Sequence, residues 1–165
     1  MKHLTIIIIL FLSACSSPTT KRFTASDSTT IYGVEQEDKE MNLTILTAKT
    51  SLNKFDSALN SKDSTYDFFA LKVRFQFENN GEHIWLREVV KKNGEYYGIV
   101  NNEPEYIANL KFDDTVKIVK NDISDWMYLE NGKLRGGFTT RLLRVRMTTA
   151  ERFYFDSTNF YKIEE

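Results

Sequence analysis

The chain has 165 residues, 22 of them basic and 23 acidic, for a net charge of −1 at pH 7. This balance excludes a general nucleic-acid binder, which needs a strongly basic surface. The single cysteine excludes an intrachain disulfide and a cysteine-built zinc site. Lys2 and His3 precede "LTIIIILFL", Leu4 to Leu12, which is too short to span a bilayer but suits a signal-peptide core.

"LSAC", Leu12 to Cys15, follows at once and is similar to a bacterial lipobox, with small residues before the cysteine. Residues 1–14 are therefore expected to be a lipoprotein signal peptide and Cys15 the acylated anchor, with palmitate among its acyl chains. Ser16 lacks the acidic character that retains some lipoproteins at the inner membrane. The expected address is thus the bacterial cell envelope, at the outer rather than the inner membrane, with the mature domain in the periplasm or at the cell surface. Residues 15–30 carry the anchor and a Ser/Thr-rich stretch expected to be a flexible tether, and residues 31–165 form one globular domain.

In that domain, Met41, Ile45, Ala48, Leu52, Phe55 and Leu59 step by three and four, which predicts one amphipathic helix from Asp38, its N-cap, to about Ser61. The period then changes to two. Phe69, Leu71, Val73, Phe75 and Phe77 alternate with Ala70, Lys72, Arg74 and Gln76. A two-residue turn at Asn79-Asn80 leads into a return strand over residues 82–90. It would set Phe77 opposite Glu82, Phe75 opposite Ile84, and Val73 opposite Leu86. Further short strands follow in "EYYGIV", "DTVKIV" and "NDISDWMYL", and short helices over Phe138 to Met147 and from about Thr149. The fold class is α+β: an N-terminal amphipathic helix packed on a small, strongly bent antiparallel sheet, with a short C-terminal helix. The strand lengths suit a partly open, SH3-like barrel.

"DKEMN", "EHIWL", "NEP", "DISDWMY" and "GKLRGGFTTRLLR", in that order, resemble the bacterial domain of unknown function 2314 family over roughly residues 31–152. The resemblance supports the domain limits and implies exported and lipid-anchored relatives. It transfers no catalytic residue.

His83, the sole histidine beyond the leader, falls on one strand face with Arg74, Trp85 and Arg87. In the predicted register His83 lies opposite Gln76, Trp85 opposite Arg74 and Arg87 opposite Lys72. Two readings stay open: a recognition face for an anionic or aromatic ligand, or a second small core covered by the helix or the C-terminal segment. Gly136, Gly137 and Arg141 form a weaker candidate anion site at a helix start. Arg135, Arg141, Arg144 and Arg146 form a basic cluster that could meet anionic headgroups. Trp126 reads as a core anchor with a wet N–H, and Asp122 and Asp125 as turn or cap residues.

One histidine, even with Glu103, Asp122 or Asp125, is a poor metal set, so no metal is expected. No cofactor is expected either, since P-loop, dinucleotide, G-x-S-x-G and H-E-x-x-H patterns are missing. The expected function is a non-catalytic binding or interaction domain. Its partners would be the membrane, through the anchor, and another envelope protein, with no nucleic acid. The alternatives are an immunity-type protein that neutralises an envelope toxin, and an enzyme using His83 with a nearby carboxylate.

Overall fold

The computed structural model describes two backbone segments, Thr20–Thr24 and Thr30–Val34, and then residues 38–164. The signal-peptide segment and Cys15 lie outside the described residues. The described residues fall into two units that divide between Asp38 and Lys39. In the first, strand β1 (Thr20–Thr24) pairs antiparallel with β2 (Thr30–Val34), Thr20 opposite Val34. Part of the segment read as a tether is therefore paired strand. Threonine contributes to a flexible composition, but it is also β-branched and favours extended backbone.

The second unit opens with α1 (Lys39–Thr50) and α2 (Leu52–Leu59). The predicted hydrophobic stripe is present, with Met41, Ala48, Leu52 and Phe55 buried, but the single helix is broken at Ser51. The hydroxyls of Thr47, Thr50 and Ser51 donate back to the carbonyls of Leu43, Leu46 and Thr47 at 2.7–3.0 Å, a pattern that bends helices. The Trp126 indole N–H also donates to Ala48 O at 2.9 Å, competing for a carbonyl at the break. Trp126 is only 3% exposed, so its N–H is bonded to helix backbone rather than to water.

A six-stranded antiparallel sheet follows: β3 (Tyr66–Phe77), β4 (Asn80–Lys92), β5 (Glu95–Val100), β6 (Thr115–Ile118), β7 (Ile123–Glu130) and β8 (Lys133–Gly136), in the order β6-β5-β4-β3-β7-β8. The α+β class stands. The barrel does not, because the sheet is open and its two edge strands, β6 and β8, have four residues each. At the β8 edge the chain after the last helix forms a parallel bridge, Lys133 to Lys162, with Leu134 N–H donating to Lys162 O at 2.8 Å. That covers an edge otherwise open to further pairing.

The sheet has apolar residues on both faces. Under α1 and α2 lie Leu71, Val73, Ile84, Leu86, Val100, Ile123 and Trp126, with Phe55 at their centre. On the other face Ala70, Met127, Leu129 and Leu134 form a smaller cluster, covered by Tyr161 and Ile163 of the C-terminal segment. Helices α3 (Phe138–Arg146) and α4 (Thr149–Thr158) precede that segment. Thr148 and Glu151 make a capping box at α4. Among the described residues, no helix is long and apolar enough to cross a membrane.

Phe75 packs at the margin of the main core and is only partly buried, whereas Phe55 is fully buried. Phe55→Ala should therefore cost about 3–5 kcal/mol in urea unfolding. Phe75→Ala should cost less than half of that, and equal losses would contradict this placement of the core.

Candidate functional site

The β3–β4 turn sits at Glu78-Asn79, with Glu78 at φ 45° and Phe77 opposite Asn80. The expected turn at Asn79-Asn80 is thus corrected, and the pairing shifts by two residues. An even shift keeps every side chain on its face but changes its neighbour. Arg74 lies opposite His83, and Lys72 opposite Trp85. The expected Arg74–Trp85 pair is replaced by Lys72 Nζ, 5.2 Å from the centre of the Trp85 ring. Gly81 explains why this register fits. The Arg74 guanidinium lies against its bare backbone, and a Cβ there would overlap Arg74.

β7 carries the site's second half. Val73 pairs with Ile123 and Lys72 with Asp125, so β7 holds one extra residue at Ser124. This β-bulge turns both Ser124 and Asp125 toward the Lys72–His83 side and returns Trp126 to the main core. Ser124 is 2% exposed and Asp125 fully buried. The Ser124 hydroxyl donates to Lys72 O at 3.2 Å and lies 2.8 Å from His83 Nδ1.

Asp125 accepts from Phe138 N–H at 3.2 Å, from Thr139 N–H at 2.7 Å and from the Thr139 hydroxyl at 2.7 Å. It caps α3 from a neighbouring strand, because Gly137 at the cap position has no side chain to do so. Lys72 Nζ donates to the same Thr139 hydroxyl oxygen at 3.1 Å. Burial pushes the Asp125 carboxyl up and the Lys72 ammonium down, and each charge opposes the other's shift. His83 is pushed down to about 4, by desolvation first and then by Lys72, Arg74 and Lys49. The residue as a whole is exposed, which tempers the desolvation, but the three cations act in the same direction.

The four residues of the candidate face separate. Arg74, His83 and Trp85 are adjacent, with Trp85 half-buried at the margin of the smaller cluster, against which Tyr161 and Ile163 also pack. Arg87 instead pairs with Glu88 and, at 2.6 Å, with Asp113. The weaker anion site has its helix-start amides occupied by Asp125. Arg141 donates to the carbonyls of Leu134, Gly136 and Glu164 at 2.7–2.9 Å. Gly136 has a structural role: at φ 71°, a Cβ would overlap the Trp126 carbonyl and ring. The basic cluster is also matched within the protein. Arg135 meets Glu130, Arg144 meets Asp156, and Arg146 meets Glu40.

Among the described residues, His83 has no carboxylate partner of the kind an acid–base pair would use. Its neighbour Ser124 is buried between Lys72 O and the imidazole, so it supports the ring and is shielded from a substrate. Among the described residues no three His, Cys, Asp or Glu side chains gather at one point. The sequence alone does not single out Lys72, Ser124 and Thr139. Their one trace is "ISDW", where two polar residues between two apolar ones break the strand alternation.

The family model described as "Uncharacterized protein conserved in bacteria (DUF2314)" matches residues 38–160. The chain belongs to this family. It is 34% identical over 138 residues to the uncharacterized protein YegJ of Escherichia coli strain K12, covering 84% of this chain and 88% of that one. It is 35% identical over 135 residues to a putative ankyrin repeat protein of Neisseria meningitidis serogroup B, covering 77% of this chain and 53% of the relative. This chain thus spans about half of that second protein. No solved structure matches. The DUF2314 match takes in both strands of the site, the β7 bulge and α3, and stops before Tyr161 and Ile163.

Asp125→Ala should cost about 3–5 kcal/mol, because it removes the charge facing half-buried Lys72, strips buried Thr139 of its acceptor and leaves α3 uncapped. Adding Lys72→Met should recover part of that loss in urea unfolding. Simple additivity would show that the two groups do not interact. The His83 shift has a definite sign: the unfolded chain binds the extra proton more readily between pH 6.5 and about 4. The native-state advantage is therefore full above pH 6.5 and is lost as pH falls toward 4. Thermal unfolding of His83→Gln should depend less on pH across this window than that of the parent. Parallel curves would remove His83 as the cause.

Proposed function

We propose that this DUF2314 protein is a lipid-anchored cell-envelope protein whose α+β domain is a non-catalytic binding module, working through the face of Arg74, His83 and Trp85. The anchor reading rests on Cys15 behind a short apolar run. The binding reading rests chiefly on Arg74. It donates to the neutral side chain of Gln76, and among the described residues no carboxylate lies within ion-pair reach of it. Arg87, Arg135, Arg144 and Arg146 each have one. Arg141 and Arg152 donate to backbone carbonyls instead, whereas Arg74, bonded to an amide side chain beside a half-exposed tryptophan, suits recognition of a ligand carrying negative charge. The pairing of His83 with a buried serine favours binding over acid–base chemistry.

Two measurements test this reading. Cys15→Ser should abolish fatty-acid labelling and release the chain from the membrane fraction, and unchanged labelling would reject the anchor. A photo-crosslinking residue at Ile99, opposite Arg87, should capture a discrete envelope component in cells, and Arg74→Ala with Trp85→Ala should remove that adduct. The same adduct from Asn53, on α2 beneath the other face, or its survival in the double variant, would reject the face.

A further inference from the structure

The arrangement around His83 restricts the chemistry of a ligand, whose assignment rests on the binding reading above. Ser124 has one hydroxyl proton. Donated to Lys72 O at 3.2 Å, it leaves the serine oxygen as acceptor at 2.8 Å from His83 Nδ1. His83 Nδ1 must then carry the hydrogen, and Nε2 of the neutral ring is a bare acceptor. Ser124 can do this because the β7 bulge turns it toward β4 while keeping it buried. Directly across the strand pair, where facing side chains begin about 5 Å apart, stands Arg74, a donor with a fixed positive charge. The groups that bear electrostatically on the ring are Lys72, Arg74 and Lys49, all cationic.

A ligand matching this pair needs anionic oxygen for Arg74 and, on the same small group, a hydrogen for Nε2. A deprotonated carboxylate or a sulfate satisfies the arginine and turns a lone pair toward the imidazole. A phosphate group holding one proton satisfies both. We propose that Arg74 and the Nε2 edge of His83 form a binding site for a monoprotonated phosphate group, with Arg74 taking its charged oxygens and His83 accepting the P–OH hydrogen. Ser124 is a positioning residue: it fixes the tautomer and touches no ligand. The phosphate can come as the free ion or as a phosphomonoester headgroup in the envelope.

The test uses the full chain in uncharged detergent, with His83 side-chain nitrogen resonances assigned by loss in His83→Gln. Before any ligand is added, the spectrum should show the Nδ1–H tautomer. Inorganic phosphate should then shift Nε2 saturably, and sulfate at the same ionic strength should bind about tenfold or more weakly, the cost of an acceptor left unmatched. Arg74→Ala should lower phosphate affinity by about tenfold or more, as expected on losing a charge-assisted contact. Ser124→Ala should move the ring toward the other tautomer and reduce the preference for phosphate over sulfate. Phosphatidylcholine vesicles with added phosphatidic acid distinguish the sources. Competition between these vesicles and phosphate assigns the headgroup, and phosphate binding without it assigns the free ion.

Equal affinity for phosphate and sulfate, an Nε2–H tautomer in the parent, or no shift with phosphate overturns the proposal. These parent measurements decide it even if Ser124→Ala does not fold. If phosphate fails while the Ile99 adduct still depends on Arg74 and Trp85, only the ligand assignment falls. If both fail, the binding reading falls with it.

Discussion

The hydrogen bond from the Trp126 indole to Ala48 O joins the helices to the sheet, and much of the rest depends on it. Trp126 is almost completely buried, and a buried indole N–H without an acceptor would be costly. The helical layer supplies the acceptor by breaking at Ser51, whose own hydroxyl lies 3.2 Å from the same N–H. The ring meets Phe55 at 6.1 Å and Phe138 at 5.4 Å between centres, so one side chain contacts α2 and α3 together. Its carbonyl accepts from Gly137 N–H at 2.8 Å, and its ring excludes any Cβ at Gly136. The glycine pair before α3 is therefore a consequence of where this tryptophan sits.

Holding Trp126 on the helix side sets what its neighbours do. Ile123 and Trp126 both belong to the main core, three residues apart on a strand whose faces alternate every two. The backbone can satisfy both only with a bulge, and the residues between them, Ser124 and Asp125, then turn to the opposite face together. One is used to cap α3 and to face Lys72. The other supports His83. The candidate site and the main core are thus two sides of one irregularity in β7.

This explains how much was legible in the sequence. The helix stripe from Met41 to Leu59 and the alternation from Phe69 to Phe77 record burial, which periodicity reports directly, so the α+β class and the face of each residue could be read. The break at Ser51 draws on local hydroxyls but also on a tryptophan 75 residues away, and no local pattern contains that second cause. The hairpin register was missed by two because alternation is unchanged by an even slip. The turn at Glu78-Asn79 and the fit of Arg74 against Gly81 accompany the observed register. Arg74, His83 and Trp85 could be placed on a common face from spacing alone. Ser124, Lys72 and Thr139 could not, since their roles come from a bulge and from contacts between distant segments.

The two faces of the sheet also divide the labour between stability and exposure. On the site's side, Tyr161 and Ile163 pack against the cluster of Ala70, Met127 and Leu129, as Trp85 also does. The covered part carries small and apolar residues. Where cover ends, the residues change to Lys72, Arg74 and His83, and the buried Asp125 faces only the first of these. Placing a second carboxylate near Arg74 would have been a simple way to neutralise it, as Asp113 does for Arg87. Instead its neighbours are a neutral amide, a glycine and an imidazole held unprotonated by its surroundings. Two further cations close to that imidazole raise the local positive potential, and among the described residues Arg74 has no carboxylate partner. A folded chain can tolerate such an unmatched charge at a water-exposed edge, where solvent screens it. Under the binding proposal above, that charge beside a single oriented acceptor would select anions that also carry a hydrogen to donate.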